Sequence, residues 1–199
     1  RDKARVIADK LDMKSEFEKL NKLISALLST HPSKILSSPI AVARAFGNPY
    51  DPARLGLFEK LFVALKQQEF PNRPEKNTSS QSFRNFAFYE AYFSNYIEGT
   101  EFELEDAKRI IETDTPMPNR DEDSHEVLGT FKLVSNKTEM SITPASPDNM
   151  LEILLYRHRV LLNARTSMKP GQFKDKNNRA GETYFVDHTL VKGTLTKGF

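Results

Sequence analysis

Apolar residues in this chain recur at steps of three and four through stretch after stretch, with turn residues cutting between them. That spacing puts the apolar side chains on one side of a helix, and it restricts the fold to helices packed through their stripes. Phe17, Leu20, Ile24, Leu27 and Leu28 predict a helix over 16–29. Leu55, Phe58, Leu61, Phe62 and Leu65 predict another with those five residues as its buried stripe. Phe86, Tyr89, Phe93, Tyr96 and Ile97 mark the apolar face of a third, over 83–98. Phe102, Leu104, Ala107, Ile110 and Ile111 follow in 101–113, then Val127, Leu128, Phe131 and Val134. Met150, Leu151, Leu154, Leu155, His158, Leu161 and Leu162 form the strongest face of the second half. The helices over 82–98 and 148–164 are expected to be long and buried. A shorter helix is expected over 3–11, with Val6, Ile7 and Leu11.

The punctuation agrees with this reading. Ser15 with Glu18, and Thr100 with Glu103, have the spacing of capping boxes. Asp51-Pro52 and Ser146-Pro147-Asp148 place an N-cap before a proline at the first helical position. Ser124 is a candidate cap for the helix carrying Val127. His31-Pro32 ends the 16–29 helix, and Pro39 interrupts a weak helix over 35–46. The polar, proline-bearing stretch 71–81 divides an N-terminal helical region, 1–81, from 82–199. Thr115–Asp123 is an acidic loop and Asn136–Pro147 a polar one. After Lys169-Pro170-Gly171 the period changes: Thr183-Tyr184-Phe185-Val186 favours extended chain, and 175–181 is turn chemistry. A small β-hairpin within 173–187 is the only sheet expected. Leu190 to Phe199 shows no closing structure.

Composition narrows the chemistry. With Lys+Arg 29 against Asp+Glu 27, the formal charge of +2 is too balanced for a strong nucleic-acid footprint. Cysteine is absent, which excludes disulfides and thiolate metal sites and suits a reducing, cytoplasmic setting. No apolar run approaches the length of a membrane span. Hydrophobic content is modest at 38%, but 14 Phe and 6 Tyr supply large buried area per residue. Among His31, His125, His158 and His188, no pair has metal-ligand spacing. His158 lies on an apolar face and reads as a packing histidine. No glycine cluster forms a phosphate loop.

The most distinctive stretch is Ser94-Asn95-Tyr96-Ile97-Glu98-Gly99. Ser94 and Glu98 are four apart, so they share one edge of the helix end. Gly99 is the natural stop. A carboxylate at a helix C-terminus opposes the helix dipole, which invites a distant cationic partner. This stretch resembles the inhibitory motif [S/T]-x-x-x-E-[G/N] of Fic (filamentation induced by cAMP) proteins. The following Thr100–Ala107 resembles what comes next in the class with an N-terminal inhibitory helix. Tyr156-Arg157-His158-Arg159-Val160-Leu161-Leu162 is similar to the helix opening the Fic core. Pro170-Gly171-Gln172-Phe173-Lys174 and Asn177-Asn178-Arg179-Ala180-Gly181 are similar to its P-G-x-[FY]-[RK] element and β-hairpin flap.

The resemblance covers roughly 82–199 and implies a mainly α-helical, Fic-like bundle with one hairpin flap. It implies transfer of AMP from ATP, with Mg2+, to a hydroxyl of a target protein, and a possible homo-oligomer. Ser94, Glu98 and Gly99 would be inhibitory. Phe173, Lys174, Asn177, Asn178, Arg179, Gly181, Thr183, Tyr184, Phe185 and Val186 would dock the target through the flap's backbone edge. The family's catalytic signature, H-P-F-x-[D/E]-G-N-G-R-x-x-R, is absent, and the chain has His-Pro only at His31-Pro32. The chain therefore reads as the front part of a longer enzyme, without catalytic residues of its own, and ATP and Mg2+ belong to the full-length protein. A second reading is a helical regulatory module of antitoxin type, which needs neither flap nor core helix. A third, a helix-turn-helix DNA binder using 32–65, is disfavoured by the near-zero charge.

Overall fold

A computed structural model describes residues 1–28, 36 and 38–199. The chain forms two compact units: Arg1–Leu65 with Asp175–Phe199, and Lys66–Lys174. The expected division at 81/82 was a division of the linear sequence. The His31-Pro32 break lies outside the described residues.

The Lys66–Lys174 unit is built around α7 (Asp121–Val134), which meets α5 (Ser80–Ile97), α6 (Leu104–Thr113) and α9 (Pro147–Leu161). The short α8 (Lys137–Met140) also packs on α7. The core comprises Ala87, Ala91, Phe102, Ala107, Ile110, Ile111, Val127, Leu128 and Phe131. Each large member contributes about 1.5–3 kcal/mol by leaving water. Where α7 crosses α9, a Cβ on Gly129 would lie 2.6 Å from the carbonyl oxygen of Val160, so only glycine permits the approach.

The face that α5 buries is not the expected one. Ala87, Ala91 and Asn95, spaced by four, are buried, whereas Phe86, Tyr89, Phe93, Tyr96 and Ile97 are exposed. Small residues let the α7 backbone come close, and the aromatic rings cover one another instead. Tyr89 and Phe93 stack at 6.1 Å between centroids, and Phe88 and Tyr92 at 6.3 Å. Helix α9 also corrects its forecast: it ends at Leu161 and fully buries only Leu151.

Two proline caps behave as expected. Asp51 Oδ1 accepts from Ala53 N at 2.9 Å, and Ser146 Oγ from Asn149 N at 3.2 Å. Three other forecast caps do not form. Helix α2 (Lys14–Leu27) starts ahead of Ser15, and α6 starts at Leu104 without a side-chain cap. Thr100 is drawn instead into a hydrogen bond with Glu126 at 3.2 Å. Ser124 sits inside α7, where its hydroxyl donates to Arg120 O at 2.7 Å and accepts from Met117 N at 3.1 Å.

The other unit holds α1 (Asp2–Lys10), α2, α3 (Pro39–Ala45), α4 (Pro52–Gln67, in this unit to Leu65), the hairpin and α10 (Val191–Gly198). Pro39 opens α3 rather than breaking a longer helix, because its fixed φ suits a first turn. A small core of Ala26, Leu36 and Ala45 is flanked by Leu23, Ala41 and Val42. Helix α4 buries none of its residues, so the expected stripe of Leu55, Phe58, Leu61, Phe62 and Leu65 is not a core face. Residues 190–199, where no closing structure was expected, include α10. It is anchored by the buried Thr194, whose hydroxyl accepts from Asp51 N at 2.9 Å and donates to Leu190 O at 2.7 Å. No helix among the described residues is long and apolar enough to cross a membrane.

Candidate functional site

The end of α5 is closed by two backbone bonds. Gly99 N donates to Tyr96 O at 3.1 Å and Thr100 N to Asn95 O at 2.9 Å. With Gly99 at φ +94, this is the Schellman arrangement, which satisfies carbonyls the helix leaves open. The cap fixes Glu98 as the last half-helical residue and Ser94 one turn before it.

Ser94 and Glu98 line one pocket of about 300 Å³ with Asn95, Glu126, Thr130, His158, Leu161 and Leu162. Three helices supply these groups, each held from behind. Asn95 Nδ2 donates to Ala91 O at 2.8 Å and to Thr130 Oγ1 at 3.1 Å. Thr130 Oγ1 in turn donates to Glu126 O at 2.9 Å. His158 Nδ1 accepts from Gly171 N at 2.9 Å, so a neutral ring carries its proton on Nε2. This bond ties the Pro170-Gly171 turn to α9 and gives the histidine a role beyond packing.

Glu126 is the fixed charge of the pocket. Arg165 Nε donates to its Oε1, Arg165 Nη1 to Glu122 at 2.8 Å, and Nη2 to Asp123 at 2.9 Å. The hydrogen bond that Arg165 donates to Glu126 is the largest influence holding its guanidinium above its ordinary value; the charges of Glu126, Glu122 and Asp123 add to it against desolvation. Arg120 binds Asp123 from the other side at 2.8 Å, stacks over Phe102 at 3.9 Å and donates to Glu101 O. Glu98 contrasts with Glu126. Its side chain is exposed, and no cation among the described residues pairs with it.

Ser94 and Glu98 were singled out in the sequence; Glu126, Thr130 and Arg165 were not. The signal was the acidic run Asp121-Glu122-Asp123 with Glu126 behind it. Read as a loop, the run hides the fact that Glu122 and Glu126 share one helical edge.

The hairpin consists of β1 (Arg179–Ala180) and β2 (Thr183–Tyr184), antiparallel, with Arg179 opposite Tyr184 and Ala180 opposite Thr183. Gly181, at φ +54, opens the two-residue loop. Phe185 N donates to Asn178 O at 3.3 Å and extends the pairing. Arg54 on α4 donates to Tyr184 O at 2.6 Å. At the base, Asn177 Nδ2 donates to Asp187 at 2.8 Å, and Asn177 Oδ1 accepts from His188 N at 2.8 Å. Asp187 also accepts from Thr189 N at 2.9 Å and Thr189 Oγ1 at 2.6 Å. The Thr189 and Asn177 side-chain bonds hold the Asp187 carboxyl well below the usual carboxylate range. Phe173, Lys174 and Val186 are half-buried, and the intervening residues named for docking are exposed. Phe173 and Lys174 belong to the Lys66–Lys174 unit and the remaining residues to the other.

Among the described residues no group of three His, Cys, Asp or Glu side chains is arranged to hold a metal ion. The acidic cluster of α7 is already occupied by Arg165, so it does not fit a magnesium site. Comparison with known proteins finds no matching family model, no matching curated protein and no matching solved structure.

Proposed function

We propose that this chain is the regulatory front portion of a Fic-type protein adenylyltransferase, with Ser94–Gly99 as its inhibitory element and 173–186 as its target-docking flap. The carrying observation is the setting of Glu98. It sits at a helix C-terminus, where negative charge is unfavourable, and no cation among the described residues offsets it. Ser94 lines the same pocket one turn away. A carboxylate in that position suits a cation supplied from elsewhere, and the family resemblance makes that cation an arginine needed by the ATP γ-phosphate. A guanidinium fork can engage a carboxylate or a phosphate bidentately but not both fully.

The test is auto-AMPylation by a polypeptide extended along its reading frame through the H-P-F-x-[D/E]-G-N-G-R-x-x-R signature. A charge-assisted bond contributes about 1.5–3 kcal/mol. Glu98→Gly should therefore raise labelling about ten- to a hundredfold. Ser94→Ala should do so more weakly. Unchanged labelling in a protein that binds ATP would leave Glu98 as a helix-end residue. The 199-residue chain alone is expected to show no sub-micromolar binding of Mg-ATP by calorimetry.

A further inference from the structure

On α9, the residue next to His158 belongs to a different pocket. His125, Gly129 and Lys132 of α7, with Arg159, Val160 and Asn163, line a notch of about 240 Å³ beside the Gly129 crossing. We propose that this notch binds a phosphate-type oxyanion. The proposal stands apart from the adenylyltransferase reading, since it uses none of the inhibitory or hairpin residues.

The lining is one-sided in charge. It carries a guanidinium, an ammonium, an imidazole and an amide, and no carboxylate. The volume lies below the roughly 300–1,000 Å³ of a whole drug-sized ligand site, which suits a single small group. The lining groups are brought together by spacing: His125, Gly129 and Lys132 share one face of α7, and Arg159 and Asn163 are one turn apart. Gly129 then lets the two faces meet closely enough to form a notch.

Arg159 is the distinctive member. Its side chain makes no hydrogen bond or ion pair with any described residue, although Arg157, two positions earlier, is paired with Glu139 at 2.9 Å. Its side chain is exposed and lies against the Gly171 turn. A Cβ on Gly171 would lie 2.7 Å from Arg159 Nε and 3.2 Å from Nη2, so the bare glycine backbone allows the guanidinium to lie against the turn. A guanidinium fork without a carboxylate partner is the group best matched to two oxygens of a phosphate. Its neighbours do have partners outside the notch. Lys132 Nζ is 3.0 Å from Asp114, and His125 Nε2 is 3.7 Å from Asp121. Both acids are more than half exposed, and such contacts are weak and screened by salt, so an oxyanion can compete for the Lys132 ammonium and the His125 ring.

The experiment is an NMR titration of the full chain with sodium phosphate, set against sodium chloride at equal ionic strength and constant pH. Saturable shifts are expected within 125–132 and 159–163, and Arg159→Ala should weaken binding by about tenfold or more. Arg159→Lys keeps the charge but not the fork, and should fall between. Arg109→Ala, on α6, should leave binding unchanged. O-phosphoserine binding tighter than inorganic phosphate identifies an organic phosphomonoester as the ligand; equal binding identifies the free ion. Shifts that rise linearly, that chloride reproduces, or that survive in folded Arg159→Ala overturn the proposal.

Discussion

Helices α7 and α4 are similar in length, and both looked amphipathic in the sequence, yet their fates differ. Helix α7 buries Ser124, Val127, Leu128, Gly129, Phe131 and Leu133, whereas α4 buries none of its residues. The difference lies partly in their neighbours. Helix α5 offers α7 the small residues Ala87 and Ala91, and Gly129 lets α9 approach on another side. Helix α4 spreads its apolar residues around the cylinder: Leu57 and Val63 lie off the stripe of Leu55, Phe58, Leu61, Phe62 and Leu65. Apolar content alone does not bury a helix; a small-residue face and a partner shaped to it do.

The sharpest test of that contrast is a matched pair of truncations. Ile110→Ala empties a fully buried site against α7 and should cost about 2–5 kcal/mol. Leu61→Ala, at a position 57% exposed, should change stability by no more than about 0.5 kcal/mol. Urea unfolding followed by tyrosine fluorescence reports the first directly, since Tyr89, Tyr92 and Tyr96 all lie on α5. Circular dichroism at 222 nm serves the second. Equal costs would mean that α4 is as well packed as α7.

The same contrast explains what was legible in advance. Helical periodicity located the elements because it depends only on local spacing. It misassigned burial on α5, because hydrophobicity weights Phe and Tyr above Ala, whereas close packing here selected Ala87, Ala91 and Asn95. Proline-linked caps were readable at Asp51 and Ser146, where backbone restriction and side-chain bonding coincide. Capping boxes without proline failed, and at Thr100 a tertiary partner, Glu126, took the hydroxyl. Ser94 and Glu98 were visible as a local pair. Glu126 and Arg165 were not, because their link spans 39 positions and leaves no local pattern.

Arg165→Ala probes that long-range link. It removes the shared partner of Glu122, Asp123 and Glu126, leaving acids close together on one helix end. The helix N-terminus and water offset part of the loss, so about 1–2 kcal/mol of destabilisation is expected. The effect should shrink in high salt, unlike that of Ile110→Ala. A salt-independent loss would assign Arg165 a packing role rather than an electrostatic one.

The hairpin base gives a smaller and purely local effect. Because bonding depresses the folded-state pKa of Asp187, its contribution is fully present above the ordinary value of 3.8 and is lost as pH falls through the depressed one. In a carboxyl-carbon NMR titration, Asp187 should be among the last carboxylates to protonate. Asn177→Ala should move its midpoint up toward 3.8 by removing one of the two side-chain donors. A midpoint unmoved by that change would mean that Thr189 alone sets the charge state.

The smallest expected effect carries the functional contrast between the two glutamates of the pocket. Glu126 is held by Arg165 and Thr100, so Glu126→Gln should destabilise the chain. Glu98 is exposed at the C-cap of α5, where its charge opposes the helix dipole. Replacing it with glutamine removes that opposition, retains the length of the side chain and breaks no bond recorded among the described residues. Glu98→Gln should therefore raise stability by about 0.3 kcal/mol at low salt, within the range for an exposed charge at a helix end. The gain should vanish in 1 M salt, where exposed charges more than about 3 Å apart are screened. Differential urea midpoints of the two variants, at low and high salt, measure both signs at once. A clear loss of stability in Glu98→Gln would show that the carboxylate already has a structural partner within the chain, and would remove the reason for seeking its cation elsewhere.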